Sequence, residues 1–369
     1  MSAPEDRRNV GIDLLRAVAI LSVIAHHWVN SALASSNRSP LAAVFVHMAG
    51  HGTYGVTLFF ILSGFLITRM TMTREPDLFR LSVRDFYVRR IARIQPLFLA
   101  IVGLGIAMLT LADDGSPIFH FSYRDSQAVF TADFWLSLFT FTFNWDRIAN
   151  GIFWGLHWDV MWSLAVEEQF YLAFPLLLIW ARTEKRLLRI LLGIIALGIA
   201  VRVLVDFLGL GFFAKVTNSF VCFDTLSLGV LLAVFGDRLP HGRRVSAAAL
   251  ALSAVSLTLA FYRGGFVLLI AGGCLFLHGA RYSTVFEHWG WKPIARFGQL
   301  SYGLYLLHAT ALFIASGVLA GKGILVGFVI VSAVSLALAE VTYRLYEAPA
   351  NAWIRATWIG PPRAIPVEA

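Results

Sequence analysis

Apolar stretches long enough to cross a lipid bilayer recur from one end of this 369-residue chain to the other. That repetition restricts the fold more than any other feature. In hydrocarbon every backbone N–H and C=O needs a partner inside the protein, so a spanning segment of about 20 apolar residues is a helix. Composition agrees: 58% of the residues are hydrophobic and 14% charged, where soluble domains carry about 25% charged residues. Mean hydropathy is +0.72. The net charge of +8 does not indicate nucleic acid as a partner, because membrane proteins keep their arginines beside cytoplasmic helix ends. The N-terminus, MSAPEDRRNV, is polar, and the run after it holds Asp13 and Arg16 but no small-residue cleavage site. A retained first helix is therefore expected, not a signal peptide. Cys222 and Cys274 both lie in apolar segments and read as buried thiols. With no CxxC or HExxH, no metal site is expected.

The pattern predicts an all-α polytopic membrane protein with ten spans, near 12–29, 54–73, 94–112, 160–181, 187–208, 218–235, 245–261, 264–279, 300–318 and 323–345. Charge sets the orientation. Of the thirty Lys and Arg residues, the segments opposite the N-terminus hold only Arg38, Arg124, Arg147, Lys215, Arg263 and Lys322. Arg16 and Arg202 lie within spans, and the rest fall on the N-terminal side, so both termini are expected inside. Residues 133–148, which begin DFWLSLFTFTFNWD, are apolar but short. Had they crossed, the basic loop 182–189 would lie outside, so a re-entrant or interfacial segment is expected there. The outer loops 30–53 and 112–159 would surround an acceptor. Their aromatics, among them Trp154 and Trp158, would stack on sugar rings or form an interfacial belt.

Polar residues interrupt the spans in clusters. Arg16 and His27 are eleven positions apart in the first run, about 20° from one helical stripe and ~16 Å apart along the axis. His26 points about 80° away from Arg16. A cation and an imidazole inside a membrane helix mark a functional site by default. The second span, GVTLFFILSGFLIT, offers Gly55, Ser63 and Gly64 for close helix approach. Arg90 and Arg93 are three apart, where two guanidiniums suit a phosphate or simply anchor the helix at the inner surface. Ser163, Glu167 and Tyr171 form one stripe of the fourth span, just after Trp162. Glu167 either pairs with an imidazole or arginine from another span or sits at the outer interface. Ser301, Tyr305 and His308 form a further stripe. Asp224 opens another polar patch, and Tyr343, Arg344, Glu347 and Pro349 follow the last span. A lone helical histidine is most often structural; two of them beside several carboxylates shift the balance towards chemistry.

These pieces, taken in order, resemble the acyltransferase-3 family of integral-membrane acyltransferases, which acylate bacterial surface polysaccharides. The resemblance rests on RAVAILSVIAHH (16–27), GVTLFFILSGFLIT (55–68), RIARIQP (90–96), WSLAVEEQFY (162–171), FDTLSLGVLLA (223–233), SYGLYLLH (301–308) and the end from Tyr343-Arg344 to Glu347-Ala348-Pro349. It implies ten core helices in a multi-pass protein of the bacterial cytoplasmic (inner) membrane. The family's arginine, ten residues, histidine pattern selects Arg16 and His27, and its arginine pair falls on Arg90 and Arg93, associated there with acyl-CoA. A transmembrane domain over 1–349 and a cytoplasmic tail over 350–369 are expected. Because the chain ends soon after its last span, the stand-alone type, without a C-terminal hydrolase-like domain, is expected.

The resemblance implies a membrane O-acyltransferase. Acyl-CoA, most simply acetyl-CoA, would be a co-substrate and not a tightly bound cofactor, and the acceptor would be a carbohydrate or glycolipid. Arg16, Arg90, Arg93 and Ser63 are expected to hold the donor. His27 would be the general base or acyl carrier, with Glu167 orienting it. Asp13, Trp162, Ser163, Tyr171, Asp224, Tyr305, His308 and Glu347 are expected to support the site. Two alternatives stay open: acylation of a small hydrophobic product such as a macrolide, and, in a different class, a secondary transporter or exporter. Against the transporter, no internal repeat or matched pair of broken helices is visible.

Overall fold

The computed structural model describes residues 9–31, 39–75, 77–111, 118–119, 122, 131–287, 289–319 and 321–359. Among these, regular structure is entirely helical. The first half of the chain gives α1 (Val10–Asn30), α2 (Pro40–Gly50), α3 (Tyr54–Met72), α4 (Val83–Leu111), α5 (Ala132–Phe139), α6 (Phe143–Asn150), α7 (Leu156–Asp159) and α8 (Met161–Ala181). The second gives α9 (Glu184–Phe207), α10 (Phe212–Val216), α11 (Ser219–Phe235), α12 (Arg243–Arg263), α13 (Phe266–Arg281), α14 (Lys292–Gln299), α15 (Ser301–Leu319), α16 (Ile324–Thr342) and α17 (Ala348–Trp358). The starts are chemically marked. Side chains of Asn9, Ser39, Thr183 and Asn218 each accept a bond from a first-turn N–H of α1, α2, α9 and α11.

Nine described helical stretches are long and apolar enough to cross a membrane, which makes this a multi-pass membrane protein. The expected span 264–279 is α13, whose 16 residues reach about 24 Å against a hydrocarbon core of about 30 Å. Gly264, in the left-handed region at φ 77°, ends α12 and turns the chain directly into α13. That two-residue turn pairs the two helices as a hairpin and limits the length of the second. Residues 132–150 do not cross as one unit. They fold into two eight-residue helices about a turn where Phe141 takes φ 56°. Phe134 and Phe143 of that pair are fully buried, so much of this aromatic segment is core.

Small residues set the tightest crossings. A side chain on Gly64 would collide with the Leu226 carbonyl, and one on Gly229 with the Ile61 carbonyl. Helices α3 and α11 therefore meet backbone to backbone through two reciprocal glycines. Gly55 lies in the same way against Ala19 of α1, as the small-residue pattern predicts, and Gly298 of α14 against the Asp13 backbone. Trp28 is fully buried, and its indole N–H donates to the Ile324 carbonyl at 2.7 Å, tying α1 to α16. The chain does not break at residue 349. A π-helical turn, Tyr343–Glu347, joins α16 to α17, which packs along α4. The segment expected as a tail thus begins as helix and is held where Arg84 donates to the Trp358 carbonyl at 2.9 Å. Residues 360–369 lie outside the described residues.

Candidate active site

The polar stripe of α1 faces the polar stripe of α15. Near the start of both, Arg16 Nη2 donates to Ser301 Oγ at 2.9 Å. Asp13 sits 3.6 Å from Arg16 Nη1 and accepts from Gln299 Nε2 at 3.2 Å, so it fixes the guanidinium from behind. Further along, the rings of His27 and His308 lie 5.2 Å apart. His26 is turned away and faces the Ala49 carbonyl at 3.0 Å, holding α2. His308 is completely buried, with Nδ1 2.7 Å from the Tyr305 carbonyl. A carbonyl only accepts, so Nδ1 carries the proton and Nε2 is left as an acceptor. Among the described residues that Nε2 has no hydrogen-bond partner. Half-buried His27 therefore stands beside an imidazole whose tautomer is fixed.

A cavity of about 190 Å³ runs alongside these stripes. Arg16, Ser63, Arg90, Arg93, Ser163, Glu167, Tyr171 and Tyr305 all line it, together with Phe59, Phe60, Leu66 and other apolar side chains. The Ser63 and Tyr171 hydroxyls are hydrogen-bonded, and Tyr171 donates to Glu167 Oε2 at 3.3 Å. The Arg90 guanidinium lies over the Tyr171 ring, 5.5 Å from its centroid. Ser163 Oγ donates to the Tyr305 hydroxyl at 2.8 Å, and that hydroxyl donates to the Val160 carbonyl at 3.3 Å. An apolar channel with a carboxylate and three arginines along its walls can hold a long, flexible thioester with an anionic end.

Other expected residues stand elsewhere. Trp162 packs edge-on against Phe60 and shapes the wall. Asp224 pairs with Arg202 at 2.9 Å, braced by Gly198, and ties α9 to α11 away from the cavity. Glu347 borders a separate chamber. Among the described residues, no hydrogen bond or ion pair joins Glu167, expected to orient the imidazole, to His27. The stripe of Glu167 closes instead on Ser63 and Tyr171. The neighbour of His27 is His308, from a helix nearly 300 positions later. Trp154 and Trp158, expected to touch sugar or lipid, are buried in the core.

Sequence reasoning missed the ion pair between Arg147 and Asp159, whose side chains are each 8% exposed. One partner lies in α6 and the other in α7, so no helical spacing links them. The one available signal was the placement of both charges in an otherwise aromatic segment.

A family model described as an acyltransferase domain matches residues 9–344. The chain belongs to the acyltransferase-3 family. Membership bears out the expected acyltransferase and sets the transporter alternative aside. Peptidoglycan O-acetyltransferase OatA of Listeria monocytogenes is 29% identical over 374 residues, covering 92% of this chain and 55% of that protein. YrhL of Bacillus subtilis, provisionally named a peptidoglycan O-acetyltransferase, is 26% identical over 373 residues, covering 92% and 54%. SACOL0978 of Staphylococcus aureus, provisionally named an O-acetyltransferase, is 29% identical over 375 residues, covering 92% and 56%. The chain thus spans about half the length of these curated relatives. No solved structure matches it.

Proposed function

We propose that this acyltransferase-3 protein moves an acyl group, most simply acetyl, from acyl-CoA to a hydroxyl of an extracytoplasmic carbohydrate. The observation that carries the reading is the cavity lined by Arg16, Arg90, Arg93 and Glu167, alongside the paired α1 and α15 stripes that end in the His27–His308 pair. The names of the relatives support acetyl as the group and a glycan as the acceptor.

The donor enters from the cytoplasm with its anionic end at Arg90 and Arg93, and its thioester arm runs along Phe59, Phe60 and Leu66, past Arg16, to reach His27. His27 takes the proton of the acceptor hydroxyl as the oxygen attacks the thioester carbonyl. The C–S bond breaks and the thiolate leaves, protonated from the imidazolium that has just formed. The neighbouring His308 Nε2 accepts a bond from that imidazolium and holds it in place. Arg147 is held nearby in its buried ion pair with Asp159. The protein lies in a bacterial cytoplasmic membrane with both termini inside, and α13 completes ten crossings.

The test is the purified protein in vesicles, given acetyl-CoA and a peptidoglycan fragment. Release of free thiol together with acetyl on the glycan is the predicted result. No thiol release above the acceptor-free rate would overturn acyl transfer to a glycan, and acetyl appearing only on small hydrophobic alcohols would move the acceptor to that class.

A further inference from the structure

Arg93 stands at the wall of two cavities. Arg93 and Tyr302 also border a second chamber of about 400 Å³, twice the size of the first. Its other walls include Tyr343, Glu347, Asn351 and Arg355. These come from the π-helical turn and α17, elements that the acyl-transfer reading does not use. One residue inserted in a π turn rotates everything after it by about 100°. That rotation brings Asn351 and Arg355, one turn apart on the same face, to the chamber. Arg355 Nη1 reaches the Asn351 side-chain oxygen at 3.4 Å.

Charge in the chamber is out of balance. Arg93 comes from α4 and Arg355 from α17, and Arg89, one turn before Arg93, is close enough for its charge to act on Arg355. Among the described residues none of these three guanidiniums forms an ion pair. Glu347 is the one lining carboxylate, and its Oε1 is engaged by the Thr342 hydroxyl at 3.5 Å. One carboxylate leaves the guanidiniums in excess, and their forked donors match phosphate oxygens. Tyr343, 39% exposed, brings its ring to the same site, one face of it under the Arg296 guanidinium at 5.7 Å.

We infer that this chamber binds the phosphorylated nucleotide end of the acyl carrier. Arg93 and Arg355 hold its phosphates, the Tyr343 ring takes its base, and the thioester arm passes between Arg93 and Tyr302 into the first cavity. The inference rests on acyl-CoA being the donor and adds the subsite that reads its nucleotide. Arg93 becomes the hinge between the two ends of the donor.

The experiment uses the full chain in detergent, with adenosine 3′,5′-bisphosphate and CoA as binding probes and acyl-pantetheine as a donor lacking the nucleotide. Arg355→Gln is expected to weaken CoA and bisphosphate binding by about tenfold. Acyl-pantetheine turnover stays at the wild-type level, and Arg355→Lys recovers part of the loss. Undiminished CoA binding in Arg355→Gln and Arg355→Glu overturns the chamber, as does wild-type protein that accepts acyl-pantetheine as well as acyl-CoA. Either result leaves acyl transfer standing. Conversely, wild-type protein that binds the bisphosphate but releases no thiol overturns acyl transfer and leaves the chamber standing.

Discussion

At the scale of single residues, helical phase was the most legible signal. The Arg16 and His27 stripe, the Ser163, Glu167 and Tyr171 stripe, and the Ser301, Tyr305 and His308 stripe all face the interior. Which stripe faces which was not legible, because packing of helices distant in sequence decides it. His27 thus meets His308, and Glu167 meets Tyr171 and Ser63. If His308 positions the imidazolium through Nε2, His308→Phe keeps the volume and loses the acceptor. The expected result is a turnover lower by about 100-fold with the donor KM unchanged. A rise in KM with normal turnover would make His308 part of the binding wall instead. The Arg147–Asp159 pair makes a stability prediction. Truncating one member leaves an uncompensated buried charge, so Asp159→Ala should lose about 3 kcal/mol or more. In thermal melts in detergent, Arg147→Met/Asp159→Leu should recover most of that loss. A double variant no better than the single one would show that the pair acts through packing and not through charge.

At the scale of elements, the apolar runs located the helices well, and the glycines of the second span marked its close contacts. The ends of the helices were less legible. Helix α4 begins at Val83, well before the span expected from residue 94. Hydropathy misses such a start because the first turns are basic. The π turn at Tyr343–Glu347 and the helix after it carry no apolar periodicity that would announce them. The reciprocal glycines of α3 and α11 are open to direct test. Gly64→Val forces the Leu226 backbone away and should cost about 1–3 kcal/mol of stability, as overpacking does. Gly103 has open space around its Cβ position, and Gly103→Val should leave the melting temperature nearly unchanged. Equal losses in the two variants would refute the backbone contact. The length of α13 raises a separate question about crossing. If α13 spans, cysteines placed at Arg263 and Ser283 will react with impermeant reagents from opposite sides of the membrane. Labelling from one side would reduce the crossings to nine and put the termini on opposite faces.

At the scale of the whole molecule, the class was plain from composition, and the family followed from the order of short motifs along nearly the full chain. The chemistry depends on long-range assembly. The two chambers, the row of arginines from Arg355 through Arg93 to Arg16, and the histidine pair are contributed by seven helices and the π turn, from both halves of the chain. No window of sequence contains them together. On this account the polar groups that interrupt the spans are tolerated in the membrane because they face the interior of the protein. The most direct test is donor consumption by His27→Ala and His27→Gln, measured as free thiol released from acetyl-CoA in the presence of a glycan acceptor. The account predicts a fall of about 10²- to 10⁴-fold, as for loss of a general base, with CoA binding retained in both variants. Wild-type thiol release by either variant would contradict it.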